Sequence, residues 1–502
     1  MKYLLGIDIG TQGIKAAAYD EEGRLIASCF EPSYLITLDD GRIVQDADEM
    51  LMSAASVIRK TAEKADAAGG TAAALCFDGQ MAGILGIGED HKAVTYYDSW
   101  LDTSCSPYVD EMKRTAENEL IRTTGSPVTI HHGPKILWWK NERPDVYSRI
   151  CKFVVPSAYI AGRMAGIGAA DAFIDYTQLH FSGFGDVRKL EWSDTLLDRF
   201  GVRKDKMPRI VEPWHIAGYM NSEFSGYTGI PEGTIITAGC GDQAASSLGA
   251  GITKTGQVFD VSGTASVFSC CVDSFAPDIS NKMLLFPRSV LKDLWIPLAY
   301  ISGGGLCLRW FRDNLTGTES DVPYTVLDSE ADAVAPGSGK LLFLPHFAGR
   351  TCPADPAVRG SWVGLGMNHT RGHMYRSIME GIAYEYSMYM DILRTGGVLG
   401  DPTEVTAVGG GAVSNVFNKI KADVIGVRYV PLETNETATL GSAVIAGYAA
   451  GIFSDIAQTA SSFVKKSSPV EPDMENYSEY DPFRKAYRQL LDVAGVPMGL
   501  LY

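Results

Sequence analysis

The start of the chain alternates short apolar runs with glycine-containing turns. The runs YLLGIDIG, GIKAAAYD and GRLIASCFEP each have the composition of a strand. An amphipathic stretch follows, in which Asp46 and Glu49 have the spacing of a capping box and Gly69–Gly70 ends the apolar stripe. The run TAAALCF then has the pattern of a buried strand. The pattern predicts a three-strand meander, a helical crossover and a fourth strand, which differs from the alternating order of a dinucleotide-binding sheet.

The second half of the chain repeats this plan. In GQVFDVSGTASVFSCCV, Asp260 stands two residues before Ser262 and four before Thr264, much as Asp8 precedes Thr11 in the first copy. A later run, EVTAVGGGAVSN, ends in glycines and opens a helix, as AALCFDGQMAG does in the first half. We therefore expect two similar α/β domains that face one another, with a boundary that divides the chain into residues 1–244 and 245–502.

The composition narrows the class of protein. The 502 residues are 46% hydrophobic and 21% charged, and the formal net charge of −16 argues against a nucleic acid or an anionic membrane as partner. Nine scattered cysteines without a CxxC spacing favour a reducing compartment over zinc or disulfide chemistry. The sequence begins directly with a strand pattern and contains no apolar run of the roughly 18 residues that a membrane span needs. These features predict a soluble, cytoplasmic protein.

The two glycine–threonine turns are candidate phosphate sites. Such turns present backbone N–H groups and hydroxyls that can hold a polyphosphate. The carboxylate of Asp8 would repel a phosphate unless a divalent cation lay between them, and Mg²⁺ prefers one or two carboxylates together with phosphate oxygens. Lys15, on the outgoing strand, would add positive charge. The alternative is that DIGTQG is a tight hairpin that needs glycine only for its backbone conformation.

Two further segments carry candidate chemistry. In TAGCGDQAAS, Asp242 stands at the start of a helix of small residues, where it could accept a proton from a substrate hydroxyl; the alternative is an N-cap aspartate. In VGGGAVSN, the glycines allow a flat ligand or a ribose to approach the backbone, and Asn415 could bond to an adenine edge. The alternative there is an ordinary turn in which Gly409–Gly411 serve close packing.

The ordered blocks DIGTQGIK, GCGDQAA, DVSGTAS and GGGAVSNVFNKIKADV resemble those of the FGGY carbohydrate kinases, a family of the actin-like, ribonuclease-H-like ATPase superfamily. The blocks DGQMAG, SWLDTS, PKILWWKNERPDVY and TATLGSAVIAGYAAGIF extend the resemblance over nearly the whole chain. The resemblance implies two ribonuclease-H-like domains with a catalytic cleft between them. It also implies an N-terminal sugar-binding domain, a C-terminal nucleotide-binding domain, ATP and Mg²⁺ as cofactors, and suggests a homodimer.

The resemblance also implies roles for individual residues. Asp8 would organise the magnesium ion, and Asp242 would be the base that takes a proton from a sugar hydroxyl. The implied ATP contacts are Thr11, Gln12, Lys15, Gly263, Thr264, Gly410, Gly411 and Asn415. The implied sugar contacts are Gln80, Met81, Trp100, Asp102 and Asp242.

The sugar itself is left open by departures from the family pattern. The chain resembles xylulose kinases most, yet Ala82 replaces the histidine of their usual QMHG block, and Ser104 replaces the arginine of WxDxR. Gln243 after Asp242 is typical of glycerol kinases, but Met81 and Ala82 stand where those enzymes have an Arg-Glu pair. A ketopentose such as xylulose is the first choice; another ketose, a polyol or a sugar acid is the alternative. An actin- or chaperone-like ATPase is the alternative from another class.

The histidines are weaker candidates. His369 and His373 have the spacing of a helical metal pair, but we expect them to belong to the first turn of a helix. His131 and His132 precede a Gly-Pro turn, which predicts a solvated loop more readily than the border of a sugar pocket. Cys270–Cys271 lie on an apolar strand and are expected to be inert.

Overall fold

The computed structural model describes residues 1–316 and 322–499, which form two compact units that are each assembled from three segments. The first unit comprises Met1–Thr253, Phe286–Ile296 and Glu436–Val464. The second comprises Lys254–Leu285, Pro297–Asn435 and Lys465–Tyr502. The division expected at residues 244 and 245 lies within the helix Asp242–Gly249 and stays a prediction.

The sheet of the first unit has seven strands. Lys2–Ile9, Gly13–Tyr19 and Leu25–Pro32 form an antiparallel meander. The helix Ala47–Ala67 follows, and the side chain of its N-cap residue Asp46 accepts hydrogen bonds from the backbone of the first turn. The strand Thr71–Gly79 then runs parallel to the first strand. The predicted meander, crossover and fourth strand are therefore confirmed. The sheet is completed by Ile216–Tyr219, Ile235–Thr237 and Cys240–Gly241.

The sheet of the second unit has five strands with the same order and directions. Val258–Ser262, Ser266–Cys270 and Leu298–Ile301 form the antiparallel meander. Glu404–Val408 and Arg428–Pro431 add two parallel strands on the other side of Val258–Ser262. If the five strands that the two sheets share are numbered along the chain within each unit, both sheets have the spatial order third, second, first, fourth, fifth. In the first unit the fifth of these strands is Ile235–Thr237. The predicted duplication of a ribonuclease-H-like plan is confirmed.

The remaining elements surround these two sheets. The helices of the first unit are Ala47–Ala67, Ser106–Thr124, His132–Glu142, Pro144–Arg149, Pro156–Ala165, Asp194–Phe200, Ser222–Thr228, Asp242–Gly249, Thr437–Ala449 and Ile456–Phe463. Its small sheets contain Ile36–Thr37, Ile43–Gln45, Tyr97–Asp98, Leu85–Ile87, Lys152–Val154, Phe173–Asp175, Arg209–Val211, Gly185–Asp186 and Glu191–Trp192. The helices of the second unit are Gly304–Leu315, Tyr324–Asp332, Arg371–Thr395, Asn415–Ile425, Met474–Glu479 and Asp481–Met498, and its small sheet pairs Leu342–Leu344 with Ser361–Val363. Within the two described ranges, no helix has both the length and the apolar character that crossing a bilayer would demand.

One helix from late in the chain, Thr437–Ala449, packs into the first unit in direct contact with its backbone. A Cβ atom on Gly6 of the first strand would lie 1.9 Å from the carbonyl oxygen of Thr439. A Cβ on Gly441 would lie 2.1 Å from the carbonyl oxygen of Ala245 in the helix Asp242–Gly249. These contacts leave no room for a side chain, so this helix fixes the sheet and the helix that carries Asp242.

Candidate active site

Three carboxylates meet at the ends of neighbouring strands in the first unit. In the sheet register Asp8 lies opposite Lys15 on one side and opposite Asp78 on the other. The short strand Cys240–Gly241 pairs with the same end of Thr71–Gly79, so the next residue, Asp242, begins its helix beside this pair. Asp8 and Asp242 are partly buried, whereas Asp78 is fully buried. The strand ends thus create an acidic cluster from residues far apart in the sequence.

The proximity of these acids changes their titration. Burial raises the pKa of Asp8 to about 6, against the opposing hydrogen bond from Asp78 and the charge of Lys15. Burial and the charge of Asp8 raise the pKa of Asp78 well above its ordinary value, and the hydroxyl of Ser442 donates to Asp78 Oδ2 at 2.6 Å. Burial and the charge of Asp8 likewise raise the pKa of Asp242 to about 7, although the backbone N–H of Gln243 stabilises its anion. Asp242 therefore has the proton affinity of a general base that works near neutral pH.

The cluster has little internal compensation for its negative charge. The ammonium group of Lys15 donates to Glu436 at 2.6 Å, so its charge is shared with a second carboxylate. No set of three His, Cys, Asp or Glu side chains in the described ranges is arranged as a complete metal cage.

A hydrogen-bonded chain joins three of the predicted ligand residues. Trp100 Nε1 donates to Thr11 Oγ1 at 2.8 Å, and Thr11 Oγ1 donates to Gln80 Oε1 at 3.0 Å. Gln80 Nε2 in turn donates to Gln45 Oε1 at 2.8 Å. The structure therefore brings Thr11, expected at the phosphates, together with Gln80 and Trp100, which were expected at the sugar. Gln12 lies in the same turn, where its carbonyl accepts from the backbone N–H of Ser33.

The other two predicted sugar residues differ in their surroundings. Met81 lies against the backbone next to Asp242, since a Cβ on Gly241 would be 2.5 Å from Met81 Cε. Asp102 is buried, and its carboxylate accepts from Ile43 N at 3.1 Å and from Ser104 Oγ at 2.6 Å. The ammonium of Lys135 lies 3.7 Å from it. The Asp102 carboxylate thus already has hydrogen-bond partners within the protein, and one of them is Ser104, which replaces the expected arginine.

Ala82, which replaces the usual histidine, has an uncommon backbone conformation. Its φ angle is 65°, in the left-handed region that a residue other than glycine rarely adopts. A Cβ on the next residue, Gly83, would lie 2.0 Å from the hydroxyl oxygen of Tyr97. Burial and the charge of Asp242 raise the pKa of that hydroxyl well above its ordinary value. Tyr97 therefore belongs to the surroundings of Asp242, and the sequence pattern did not single it out.

Three buried histidines form a second feature that the sequence did not reveal. His131, His132 and His180 are 2%, 1% and 1% exposed, so the prediction that His131 and His132 lie on a solvated loop is wrong. The reason is that the helix His132–Glu142 begins there and buries its first residues. Burial lowers the pKa of His131 and of His180 to about 3 and that of His132 well below its ordinary value. All three imidazoles are neutral near pH 7.

These histidines leave hydrogen-bonding atoms unused. His131 Nδ1, His132 Nε2, His180 Nε2 and both side-chain polar atoms of Gln178 are buried without a hydrogen-bond partner in the described structure. His180 Nδ1 lies 3.0 Å from the carbonyl oxygen of Thr177 and must donate to it, which makes His180 Nε2 an acceptor. The hydroxyl of Thr177 accepts from the backbone N–H of Gly241, the residue before Asp242. The segment that carries Gln178 and His180 is therefore tied to the chain at Asp242.

In the second unit, the predicted nucleotide residues also come together. Gly263 and Thr264 form the turn between Val258–Ser262 and Ser266–Cys270. A Cβ on Gly411 would lie 2.6 Å from the Cβ of Ser262, whereas a Cβ on Gly410 would meet nothing within 4 Å. Gly411 thus serves close packing, and Gly410 leaves open space beside the turn.

The helix after this glycine loop begins where the pattern placed it. Asn415 is its first residue, and the side chain of Ser414 caps it by accepting from Phe417 N at 3.1 Å. Elsewhere in the second unit, His369 and His373 lie at the start of the helix Arg371–Thr395, as predicted, where His373 Nδ1 is 2.9 Å from the hydroxyl of its N-cap residue Thr370.

Comparison with known proteins agrees with this architecture. Residues 3–249 match the model of the N-terminal domain of the FGGY family of carbohydrate kinases, and residues 260–450 match that of its C-terminal domain. The chain is 25% identical to a xylulose kinase of Bacillus subtilis (98% of this chain and 97% of that protein). It is 27% identical to a gluconokinase of the same organism (99% of each).

Solved structures show the same fold. A gluconate kinase from Lactobacillus acidophilus and a ligand-bound xylulose kinase from the same organism each superpose with a TM-score of 0.91 at 24% identity, over 100% of both chains. The structure contains two copies of a ribonuclease-H-like unit, one of which carries an acidic cluster, and the two family models together match most of the sequence. The chain therefore belongs to the FGGY family of carbohydrate kinases and is a sugar phosphotransferase.

Proposed function

We propose that the protein transfers the γ-phosphoryl group of ATP to a hydroxyl of a neutral sugar, with a ketopentose such as xylulose as the first choice and Mg²⁺ as the cofactor. The main support for this proposal is the position of Asp242. It begins a helix at the strand ends that also carry Asp8, and its pKa is raised to about 7 by burial and by that neighbouring charge.

Asp242 acts as the general base. It accepts the proton of the sugar hydroxyl while the hydroxyl oxygen attacks the γ-phosphorus, the bond between that phosphorus and the β–γ bridging oxygen breaks, and ADP leaves. A base with a pKa near 7 is ionised in a large fraction of molecules at neutral pH and still has useful proton affinity. The phosphoryl transition state itself needs positioning and charge neutralisation more than covalent help.

Asp8 is the proposed residue for the magnesium ion. Its carboxylate lies beside Asp78, whose pKa is raised, and Lys15 opposite it forms its ion pair with Glu436, so the site carries uncompensated negative charge that suits a divalent cation. When bound, Mg²⁺ supplies neutralisation of the triphosphate charge.

The proposed nucleotide contacts are those that the family resemblance implied. They are Thr11, Gln12 and Lys15 in the first unit and Gly263, Thr264, Gly410, Gly411 and Asn415 in the second. Support comes from the turn at Gly263–Thr264, whose backbone lies against the glycine loop, and from the open space beside Gly410. Gln80, Met81 and Trp100 are the proposed sugar contacts, whereas Asp102 acts through the fold around them because its carboxylate already has protein partners.

A neutral sugar is favoured over a sugar acid by the buried imidazoles. His180 is neutral, and its free Nε2 atom is an acceptor, so a hydroxyl can bond to it and a carboxylate cannot. The second candidate substrate is gluconate, which is favoured by the 27% identity to a gluconokinase. A carboxylate that faced His180 Nε2 would require this imidazole to take up a proton.

The test is a sugar-dependent ADP-release assay of the full chain with ATP and Mg²⁺. The panel should contain xylulose, ribulose, fructose, glycerol, xylitol and gluconate. We expect a neutral ketose to give the highest kcat/KM, at least about 10-fold above gluconate, which corresponds to one lost hydrogen bond or unpaired charge. Faster turnover of gluconate would overturn the neutral-sugar proposal. ATP hydrolysis that no sugar accelerates would favour an actin- or chaperone-like ATPase instead.

A further inference from the structure

The two copies of the ribonuclease-H-like plan treat their first-strand aspartates differently. Asp8 has an acid, Asp78, opposite it on the fourth strand, and the partly exposed Lys15, opposite it on the second strand, forms its ion pair with Glu436. Asp260, in the equivalent strand of the second unit, is fully buried and forms an ion pair with Lys421 at 2.5 Å, which is also fully buried. The first copy therefore keeps a carboxylate with uncompensated charge, and the second copy neutralises its own.

Every oxygen of Asp260 has a protein partner. Lys421 Nζ donates to Oδ2, and the hydroxyl of Tyr386 donates to Oδ1 at 2.9 Å. The hydroxyl of Ser262 lies 2.9 and 3.1 Å from the two oxygens, and Lys421 Nζ also reaches that hydroxyl at 3.1 Å. A carboxylate with this set of partners has no free lone pairs directed at a cation, so Asp260 is a structural anion and not a second metal ligand.

The network joins three separate elements of the second unit. Asp260 and Ser262 belong to the strand Val258–Ser262, Tyr386 to the helix Arg371–Thr395, and Lys421 to the helix Asn415–Ile425. The ammonium of Lys421 also lies 4.3 Å from the ring centre of Phe417 and 4.9 Å from that of Tyr429. These rings shield the ion pair from water and add cation–π attraction.

Ser262 is the point where this network reaches the proposed nucleotide contacts. It is the last residue before the turn at Gly263–Thr264. Its Cβ is the nearest atom to the position of a Cβ on Gly411, at 2.6 Å, and its carbonyl oxygen is 2.7 Å from that of a Cβ on Gly409. The turn at Gly263–Thr264 therefore follows Ser262 directly, and the glycine loop packs against it. The Ser262 side chain is in turn hydrogen-bonded to Asp260 and Lys421.

We propose that Lys421 is a positioning residue for ATP: by pairing with Asp260 and Ser262 in the interior, it fixes the turn at Thr264 and the glycine loop in the geometry that receives the nucleotide. The proposal rests on the function proposed above only in naming ATP as the ligand. A merely structural ion pair would stabilise the unit without changing its affinity for nucleotide. A positioning pair affects nucleotide affinity even when the protein remains folded.

The test uses the double variant Lys421→Met with Asp260→Asn. Removing one partner alone would leave a buried unpaired charge and destabilise the unit, whereas the double change removes both charges and preserves the shape. We expect the double variant to remain folded by circular dichroism. Its KM for ATP and its dissociation constant for ADP with Mg²⁺ should each rise about 10-fold or more, while the KM for the sugar changes less than about 2-fold.

The matched control is Lys419→Met on the same helix. Lys419 pairs with Asp423 at 2.7 Å, is 40% exposed, and lies apart from the Asp260 network. It should leave nucleotide affinity unchanged. An ADP affinity of the folded double variant equal to that of the parent would overturn the proposal.

A milder variant decides the case if the double variant does not fold. Tyr386→Phe removes one donor to Asp260 and keeps the ring. It should weaken ADP binding about 3-fold at unchanged sugar KM, and an unchanged ADP affinity would overturn the proposal as well. Because ADP binding is measured by calorimetry without sugar, a failure of the sugar kinase assay and a failure of this inference are distinguishable.

Discussion

The substitution Asp242→Asn is the most informative test of the proposed chemistry, because it changes the proton affinity of one group and little else. The backbone N–H of Gln243 donates to Asp242 Oδ1 at 2.7 Å, and an asparagine oxygen can accept the same bond. The helix Asp242–Gly249 therefore keeps its first turn. An amide cannot accept the sugar proton, so the contribution of general base catalysis, about 10²- to 10⁴-fold, should disappear from kcat.

The same residue should set the pH profile of the parent protein. Its pKa is raised to about 7 by burial and the charge of Asp8, and only the ionised form accepts a proton. At pH 7 about half of the molecules are active, and at pH 6 about one tenth, so kcat/KM should rise nearly 10-fold between pH 6 and pH 8 and then level off. The Asp242→Asn variant should lack this rise.

The assay couples ADP release to NADH oxidation at saturating ATP, with ADP affinity measured separately by calorimetry. We expect the variant to bind ADP with Mg²⁺ within about 3-fold of the parent, because the nucleotide contacts are unchanged. Asp194→Asn is the matched control, since Asp194 also begins a helix but is exposed and pairs with Lys204 on the surface. Turnover of Asp242→Asn within about 10-fold of the parent, or an unchanged pH profile, would refute the role of Asp242 as base.

Three further changes test the packing and electrostatics by thermal and denaturant unfolding. Gly441→Ala would place a Cβ atom 2.1 Å from a backbone oxygen and should destabilise the first unit by about 2 kcal/mol or more. The control Gly226→Ala, whose Cβ would meet nothing within 4 Å, should not destabilise it, and equal stabilities of the two variants would contradict the close helix contact. Asp78 has a pKa raised by burial and by the charge of Asp8, so it binds more protons in the folded state, and the free energy of unfolding falls as the pH rises above about 4. Asp78→Asn should flatten that decline, and an unchanged slope would argue against a raised pKa of Asp78. Glu385 has a pKa lowered to about 2 because its hydrogen bond with His346 and the positive charge of Arg350 outweigh the effect of burial, so its stabilisation should be complete above about pH 5 and be lost as the pH falls towards 2. Glu385→Gln should remove this dependence and destabilise the second unit by about 3 kcal/mol, and a parent-like acid transition would be contrary evidence.

Local patterns were sufficient to predict the frame of the fold. The alternation of apolar runs and glycine turns gave the meander, the crossover strand and their repetition, because each depends on residues within a few positions of one another. The position of Asp242 at a helix start followed from the same kind of local signal. The order of strands in the sheet of the first unit brings Asp8, Asp78 and Asp242 together, and the sequence pattern did not single out Asp78.

Long-range packing explains what the sequence did not reveal. The helix Thr437–Ala449 joins the first unit through contacts at Gly6 and Gly441, and no local pattern indicates such a partner more than 400 residues away. His131 and His132 precede a Gly-Pro turn that is typical of a loop, yet the packing of the following helix buries them. Lys421 lies on a helix whose polar residues look exposed in sequence, and only the tertiary structure places it against Asp260.

Transfer of the phosphoryl group from ATP to a sugar can be followed on the phosphorus itself. The parent protein is incubated with ATP, Mg²⁺ and xylulose or another neutral ketose, and the products are resolved by phosphorus NMR and mass spectrometry. We expect one sugar phosphomonoester formed in equal amount to ADP, and about 1% as much or less with Asp242→Asn over the same period. Inorganic phosphate as the main product for every sugar, or the same sugar phosphate formed at the parent rate by the variant, would contradict this expectation.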